Sequence, residues 1–315
     1  MTGVGLAEWA IFAAVVIGAL YVDLKVVGKK DHVIGKKEAL LWSIVWITLS
    51  IAFNVLVYIW NGAASALEYT TGYIIEKSLS IDNLFVFIII FSYFGVKGEH
   101  QHRVLFWGIL GAFIMRGVMI LAGVSLIQRF EWIVYVFGAF LIYTGFKIGF
   151  ENHVEVHPEQ NALVKYFKRA FPTTNEFHGS KFFIRKEGKL FATPLFVALL
   201  VIESSDLLFA VDSIPAILAI STDPFIVYSS NVFAILGLRS LYFLLAGMME
   251  TFKYLKLGIS AVLVFVGAKM LLPSVTELVF HQAYKITTEI SLLIVAGVLG
   301  LSIIASLAVK EKGSK

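Results

Sequence analysis

The chain contains no cysteine. Disulfides, thiolate metal centres and thiol nucleophiles are thereby excluded, and any metal ion must be held by oxygen or imidazole ligands. Charge is scarce too: Asp, Glu, Lys and Arg make up 15% of the 315 residues, against about 25% in a soluble domain. Histidine is sparse at membrane depth. His32, His100, His102, His153, His157, His178 and His281 fall mainly in connections between apolar segments, which argues against a transmembrane histidine site. H-E-x-x-H and Gly-x-Gly-Asp motifs are absent, and no Ser/His pair occurs within an apolar segment, so the chain does not read as an intramembrane enzyme.

What is abundant is apolar surface. Hydrophobic residues make up 58% of the chain and the mean hydropathy is +0.84, values that indicate an integral membrane protein. Apolar segments at 6–27, 38–60, 70–95, 104–127, 131–150, 190–220, 225–249, 255–272 and 287–308 approach the ~20 residues that cross the hydrocarbon core. The expected fold is an all-α polytopic membrane protein with about nine transmembrane helices. The net charge of +4 does not indicate nucleic-acid binding, because the bases sit in short clusters between apolar segments. No basic region precedes the first segment, and Lys25, Lys29, Lys30, Lys36 and Lys37 follow it. It therefore reads as a retained helix rather than a cleaved signal, with its N-terminus outside. Lys165, Lys168, Arg169, Lys181, Arg185, Lys186 and Lys189 mark a cytoplasmic loop over 151–189, and Lys310, Lys312 and Lys315 hold the C-terminus inside. Connections around Asn61–Glu68, Gln128–Glu131, Ser221–Pro224 and Pro273–Lys285 carry few bases and read as outside. Within the 151–189 loop, F-F-I-R-K-E-G-K-L-F predicts a small hairpin with Glu187-Gly188 at its turn. Asp23 reads as a solvated acid at the inner end of the first helix.

Two segments carry acids where acids are expensive. Y-I-I-E-K-S-L-S-I-D-N-L-F-V-F contains Glu76 and Asp82, and I-E-S-S-D-L-L-F-A-V-D-S-I-P contains Glu203, Asp206 and Asp212. An ionised side chain at the bilayer centre costs at least about 2.5–3.5 kcal/mol, so such acids are paired or line an ion path. Ser80-x-Asp82-x-Leu84-Phe85 matches Ser204-x-Asp206-x-Leu208-Phe209, and the spacing persists: Asp82 to Gly123 and Asp206 to Gly247 are both 41 residues, each ending in Leu-Ala-Gly. Ile109-Leu110-Gly111 with Arg116 and Ile235-Leu236-Gly237 with Arg239 fall between, and Gly145-x-Lys147 answers Gly267-x-Lys269. A repeat of three spans inverts its second copy, an arrangement found in secondary transporters. The expected organisation is two N-terminal helices over 1–69, one repeat over 70–150, the cytoplasmic loop, an inverted repeat over 190–272, and a C-terminal helix with a basic tail over 273–315.

On a regular helix Glu203 and Asp206 share a face, while Asp212 points about 120° away from Asp206. Pro215 predicts a break near 211–215 that re-aims Asp212 and frees carbonyl oxygens. Ser80, Asn83, Ser204 and Ser213 add supporting oxygens. Five acids face three bases, Lys77, Arg116 and Arg239, leaving two negative charges that one divalent cation would neutralise. Oxygen ligands without sulfur suit Mg, Ca or Mn. The competing reading is that the acids pair with these bases only to lock helix packing; Arg116 and Arg239 fit either structural ion pairs to the acidic helices or a direct part in gating.

E-K-S-L-S-I-D-N-L-F-V-F, F-F-I-R-K-E-G-K-L-F-A-T-P-L, E-S-S-D-L-L-F-A-V-D-S-I-P-A-I and T-D-P-F-I-V-Y-S-S-N-V-F-A-I-L-G-L-R-S-L-Y-F-L-L-A-G closely resemble the TerC family, and within it the Alx branch, over nearly the whole chain. That resemblance implies a multi-pass protein of the bacterial inner membrane that exports Mn²⁺ as substrate. It implies a metal site at Glu76, Asp82, Glu203, Asp206 and Asp212, with proton exchange open as the coupling and no tightly bound cofactor. A membrane metallation or assembly factor, or a subunit of a metal-resistance complex, is the alternative. Protein partners are not legible.

Overall fold

The computed structural model describes residues 5–24, 35–130, 132–150, 162–186, 188–246 and 254–308, and within these it leaves out the side chains of residues 81, 82, 85, 162, 163, 212 and 307. The structure is mostly helical. In chain order the helices are α1 (Leu6–Val22), α2 (Lys36–Phe94), α3 (Gly98–Arg129), α4 (Ile133–Phe150), α5 (Ala162–Ala170), α6 (Pro194–Leu218), α7 (Pro224–Ile235), α8 (Leu238–Leu245), α9 (Leu255–Phe280) and α10 (Thr288–Ala308). Among the described residues, seven stretches are long and apolar enough to cross a membrane, and α1 is a shorter apolar helix. Large apolar side chains such as Ile17, Leu41, Ile59, Leu121 and Leu293 are exposed on the outer surface of these helices, as expected where hydrocarbon rather than water is the solvent.

The 59 residues of α2 are not one rod. Gly62 has φ 83 and ψ −179, a conformation only glycine adopts without strain. Asn54 Nδ2 donates to Thr70 Oγ1 at 2.8 Å, and the hydroxyls of Ser50 and Tyr69 lie 3.0 Å apart. Sixteen residues of unbroken helix would rise about 24 Å, so the chain turns back at Gly62 and lays 63–94 along 36–61. The connection expected over Asn61–Glu68 is therefore almost wholly helical. Gly95, in the left-handed region at φ 64, ends the element.

Two further expectations are corrected. Pro215 lies inside α6 without breaking it, and the helix continues to Leu218. The interruption is instead between α7 and α8, where Leu236 turns extended (ψ 130) and Gly237 left-handed (φ 80). A Cβ on Gly237 would lie 2.7 Å from the Trp46 side chain, so glycine is required twice over. Pro273 is also tolerated: α9 runs through it to Phe280 and ends at His281 with φ 55. The hairpin is present as β1 (Phe183–Lys186) and β2 (Lys189–Ala192), antiparallel with Lys186 opposite Lys189 and Gly188 at φ 76. The short helix α5 has no counterpart in the sequence reading.

Burial ranks the helices. In the α7–α8 span 89% of the apolar window is inside the protein, against 17% in α10, which makes the interrupted helix the centre of the bundle and α10 its periphery. Asp223 caps α7 by accepting from the N–H groups of Phe225 and Ile226, with Pro224 at the first helical position. Phe53 and Tyr69 of α2 pack against its Phe225 and Phe233. Close helix contact elsewhere depends on small residues, as is usual in membranes. On α4, Gly138 meets the backbone of Gly267 on α9, and Gly145 accepts a 2.6 Å hydrogen bond from Ser260. On α3, Gly108 and Gly123 admit Ile202 and Leu218 of α6.

A buried ion-pair hub

Arg116 of α3 joins the two acidic helices. Its Nε and NH2 donate to the two oxygens of Asp206 at 3.1 and 2.9 Å, a bidentate pair with α6. Its NH1 donates to Glu76 Oε1 on α2 and, at 3.4 Å, to Ser213 Oγ, two turns beyond Asp206 on α6. Ser80, one turn after Glu76, donates to the same Oε1 at 3.1 Å, and Asn231 Nδ2 of α7 donates to Oε2 at 3.0 Å. Glu76, Arg116 and Asp206 are 0%, 1% and 5% exposed. At that burial the cluster cannot rely on water, and removing Arg116 would leave two carboxylates stranded. All three residues fall within about three positions of the middle of their helical stretches, 63–94, 98–129 and 194–218, or within ~5 Å along the axis. Each residue is thus placed near the middle of its helical stretch, the position at which an unpaired charge costs most in a helix that crosses a bilayer.

Glu203 shares the Asp206 face of α6 but not its partners. Its carboxylate packs against the bare backbone of Gly111, where any side chain would collide with it, and its Oε2 is buried with no hydrogen-bond partner among the described residues. A small cavity of about 10 Å³, lined by Asp206, Gly108, Ala112, Ile202, Ile235 and Leu238 among others, adjoins the hub. It has room for about one water. Among the described residues no group of three or more His, Asp or Glu is arranged to hold a metal ion. Asp82 and Asp212, both expected in the site, carry side chains outside the described residues. Asn83 is buried on α2, and Ser204 Oγ donates to the carbonyl of Val201 at 2.9 Å.

The three bases divide differently from the expectation. Arg116 pairs with the acidic helices. Arg239 does not: its NH2 donates to the carboxylate and main-chain oxygen of Asp23, tying α8 to the end of α1. Asp23 is accordingly 7% exposed, a buried partner rather than a solvated interfacial acid. Lys77 donates to the main-chain oxygen of Ala234 at 3.0 Å. Asn231 went unnoticed in the sequence, although the polar run Ser229-Ser230-Asn231 inside an apolar span was the available signal.

A family model described as "Integral membrane protein TerC family" matches residues 61–314, which take in the hub and every helix from the second half of α2 onward. The chain belongs to the TerC family. Among relatives of this TerC protein, a membrane protein from Myxococcus xanthus is 52% identical over 299 residues, covering 95% of this chain and 91% of the relative. A Salmonella typhi protein and an Escherichia coli K12 protein, both named "Putative membrane-bound redox modulator Alx", are each 44% identical, covering 98% of this chain and 96% of the relative. No solved structure matches the TerC chain.

Proposed function

We propose that the protein is a divalent-cation transporter that exports Mn²⁺ across the bacterial inner membrane by alternating access. One observation carries the reading: a single guanidinium, Arg116, clamps acids of both acidic helices near the middle of their helical stretches. A fixed cation bridging carboxylates is what a mobile dication would replace. In the clamped conformation the acids are committed to Arg116 and the adjoining space is too small for a hydrated ion. Loading then requires Arg116 to release Glu76 or Asp206, opening oxygens to which Glu203, whose Oε2 has no partner among the described residues, adds a third carboxylate. Asp82 and Asp212 are proposed to complete the ligand set. Ligating carboxylates must be ionised, so apparent affinity rises with pH and binding releases protons, which supplies a route to proton exchange.

The nine-span, inverted-repeat architecture is part of this reading. Counting α1, both halves of α2, and α7–α8 as one interrupted crossing gives nine. The N-terminus is then periplasmic and the C-terminus cytoplasmic.

The relatives' name favours a second reading, redox modulation. Without cysteine this chain has no thiol couple of its own, so an effect on redox balance would follow from moving a redox-active metal ion. Uptake by purified protein in liposomes, with a panel of Mn²⁺, Ca²⁺, Zn²⁺ and Fe²⁺, decides between transport and an assembly or metallation role. Protein-dependent Mn²⁺ flux is the expected result; a flux no greater than that of empty liposomes would sink the proposal.

A further inference from the structure

The interruption between α7 and α8 has no place in the ion-pair hub, yet it lies midway along the most buried span of the bundle, 224–245. A helix end leaves its last carbonyls without intrahelical donors. Here the last backbone bond is from Leu236 N–H to Val232 at 2.8 Å, and the carbonyl of Ala234 receives the Lys77 ammonium at 3.0 Å. One turn earlier, on the same face of α7, Asn231 is wholly buried; its Nδ2 donates to Glu76, which fixes the orientation of the amide. Its Oδ1 is left with no donor among the described residues. The cavity beside Asp206 is lined by Ile235 and Leu238, the residues flanking the break, so the hub and the carbonyl end of α7 share one space.

We infer that the carbonyl end of α7, with Asn231 Oδ1, is a second cation subsite, and that Lys77 is a tethered cation occupying it. Carbonyl and amide oxygens at the negative end of a half-helix suit a hard metal cation, and the same groups suit an ammonium. Lys77 follows Glu76 in sequence, so any shift of α2 that withdraws Glu76 from Arg116 also withdraws the ammonium from Ala234. Release of the acid and vacating of the carbonyls are thus one movement. The subsite rests on the transport reading for its role, but not for its existence.

Mn²⁺ binding to the purified full chain, counted by titration calorimetry, tests this with Lys77→Met, which removes the ammonium, and Lys77→Arg, which keeps a cation. Lys77→Met should bind one more Mn²⁺ per chain than wild type, and Lys77→Arg no more than wild type. Adding Asn231→Ala to Lys77→Met should abolish the extra ion. Equal stoichiometry in wild type and Lys77→Met would overturn the subsite while leaving the transport reading intact. Absent flux from wild type with an extra ion in Lys77→Met would do the reverse. If Lys77→Met fails to fold with and without Mn²⁺, the ammonium is a structural cap that no ion replaces, and the subsite is likewise overturned.

Discussion

Glu203 and Asp206 lie three residues apart on α6, and their neighbours make opposite demands of them. Asp206 accepts from two of the three nitrogens of a buried guanidinium, so Asp206→Asn breaks the bidentate pair, leaves Arg116 with Glu76, and should cost about 1.5–3 kcal/mol of stability. Glu203 has a buried oxygen with no donor among the described residues, and taking the charge from such a group relieves a desolvation penalty instead of creating one. Glu203→Gln should therefore fold at least as stably as wild type while losing Mn²⁺ transport. Thermal unfolding in detergent and flux in liposomes, measured on both variants, separate the roles. Wild-type flux in Glu203→Gln at equal protein abundance would return Glu203 to a packing role. Gly111→Ala gives a check from the other side: its methyl group needs the space of the Glu203 carboxylate, so it should reduce flux without touching any charge.

At the scale of elements, most of what was legible came from charge and apolar length, and most of what was not came from glycine geometry. The acids Glu76 and Asp206 and the base Arg116 stood out because an ionisable residue in an apolar run has few tolerable environments. The pairing of Arg239 with Asp23 was hidden, since the partner lies 216 positions away at the end of a helix that shares no motif with α8. The helix break was misplaced for a physical reason. Proline at 215 removes one hydrogen bond that α6 can lose, whereas Gly237 takes a backbone conformation that ends α7 outright. Gly237→Ala should thus be the more damaging substitution. An L-residue at φ 80 costs roughly 1–2 kcal/mol, and the added Cβ also collides with Trp46. A lowered unfolding temperature, partly restored by Trp46→Ala, is the expected outcome. No change in the single variant would mean that the break moves to a neighbouring residue at little cost.

For the whole molecule the decisive residue is Gly62, because the parity of the spans depends on it. If α2 crosses once, the count is even and every later connection changes side; if it folds back at Gly62, 36–61 and 63–94 cross separately and the connections alternate as the lysines demand. The absence of native cysteine makes the distinction measurable with single introduced thiols. Ala63, beside the fold-back, Thr222 between α6 and α7, and Gln282 after α9 should react with an impermeant maleimide in intact cells. Tyr166 on α5, exposed and flanked by Lys165 and Lys168, should react only after the membrane is opened. Under that pattern α6, α7–α8 and α9 run opposite to 63–94, α3 and α4. Arg116 then reaches from one copy into the other, and the hub becomes the point about which two inverted halves can rock. Labelling of Tyr166→Cys from outside, or of Ala63→Cys only from inside, would make the span count even on one side of the hub. The halves would then be parallel rather than inverted, and alternating access through Arg116 would lose its geometric basis.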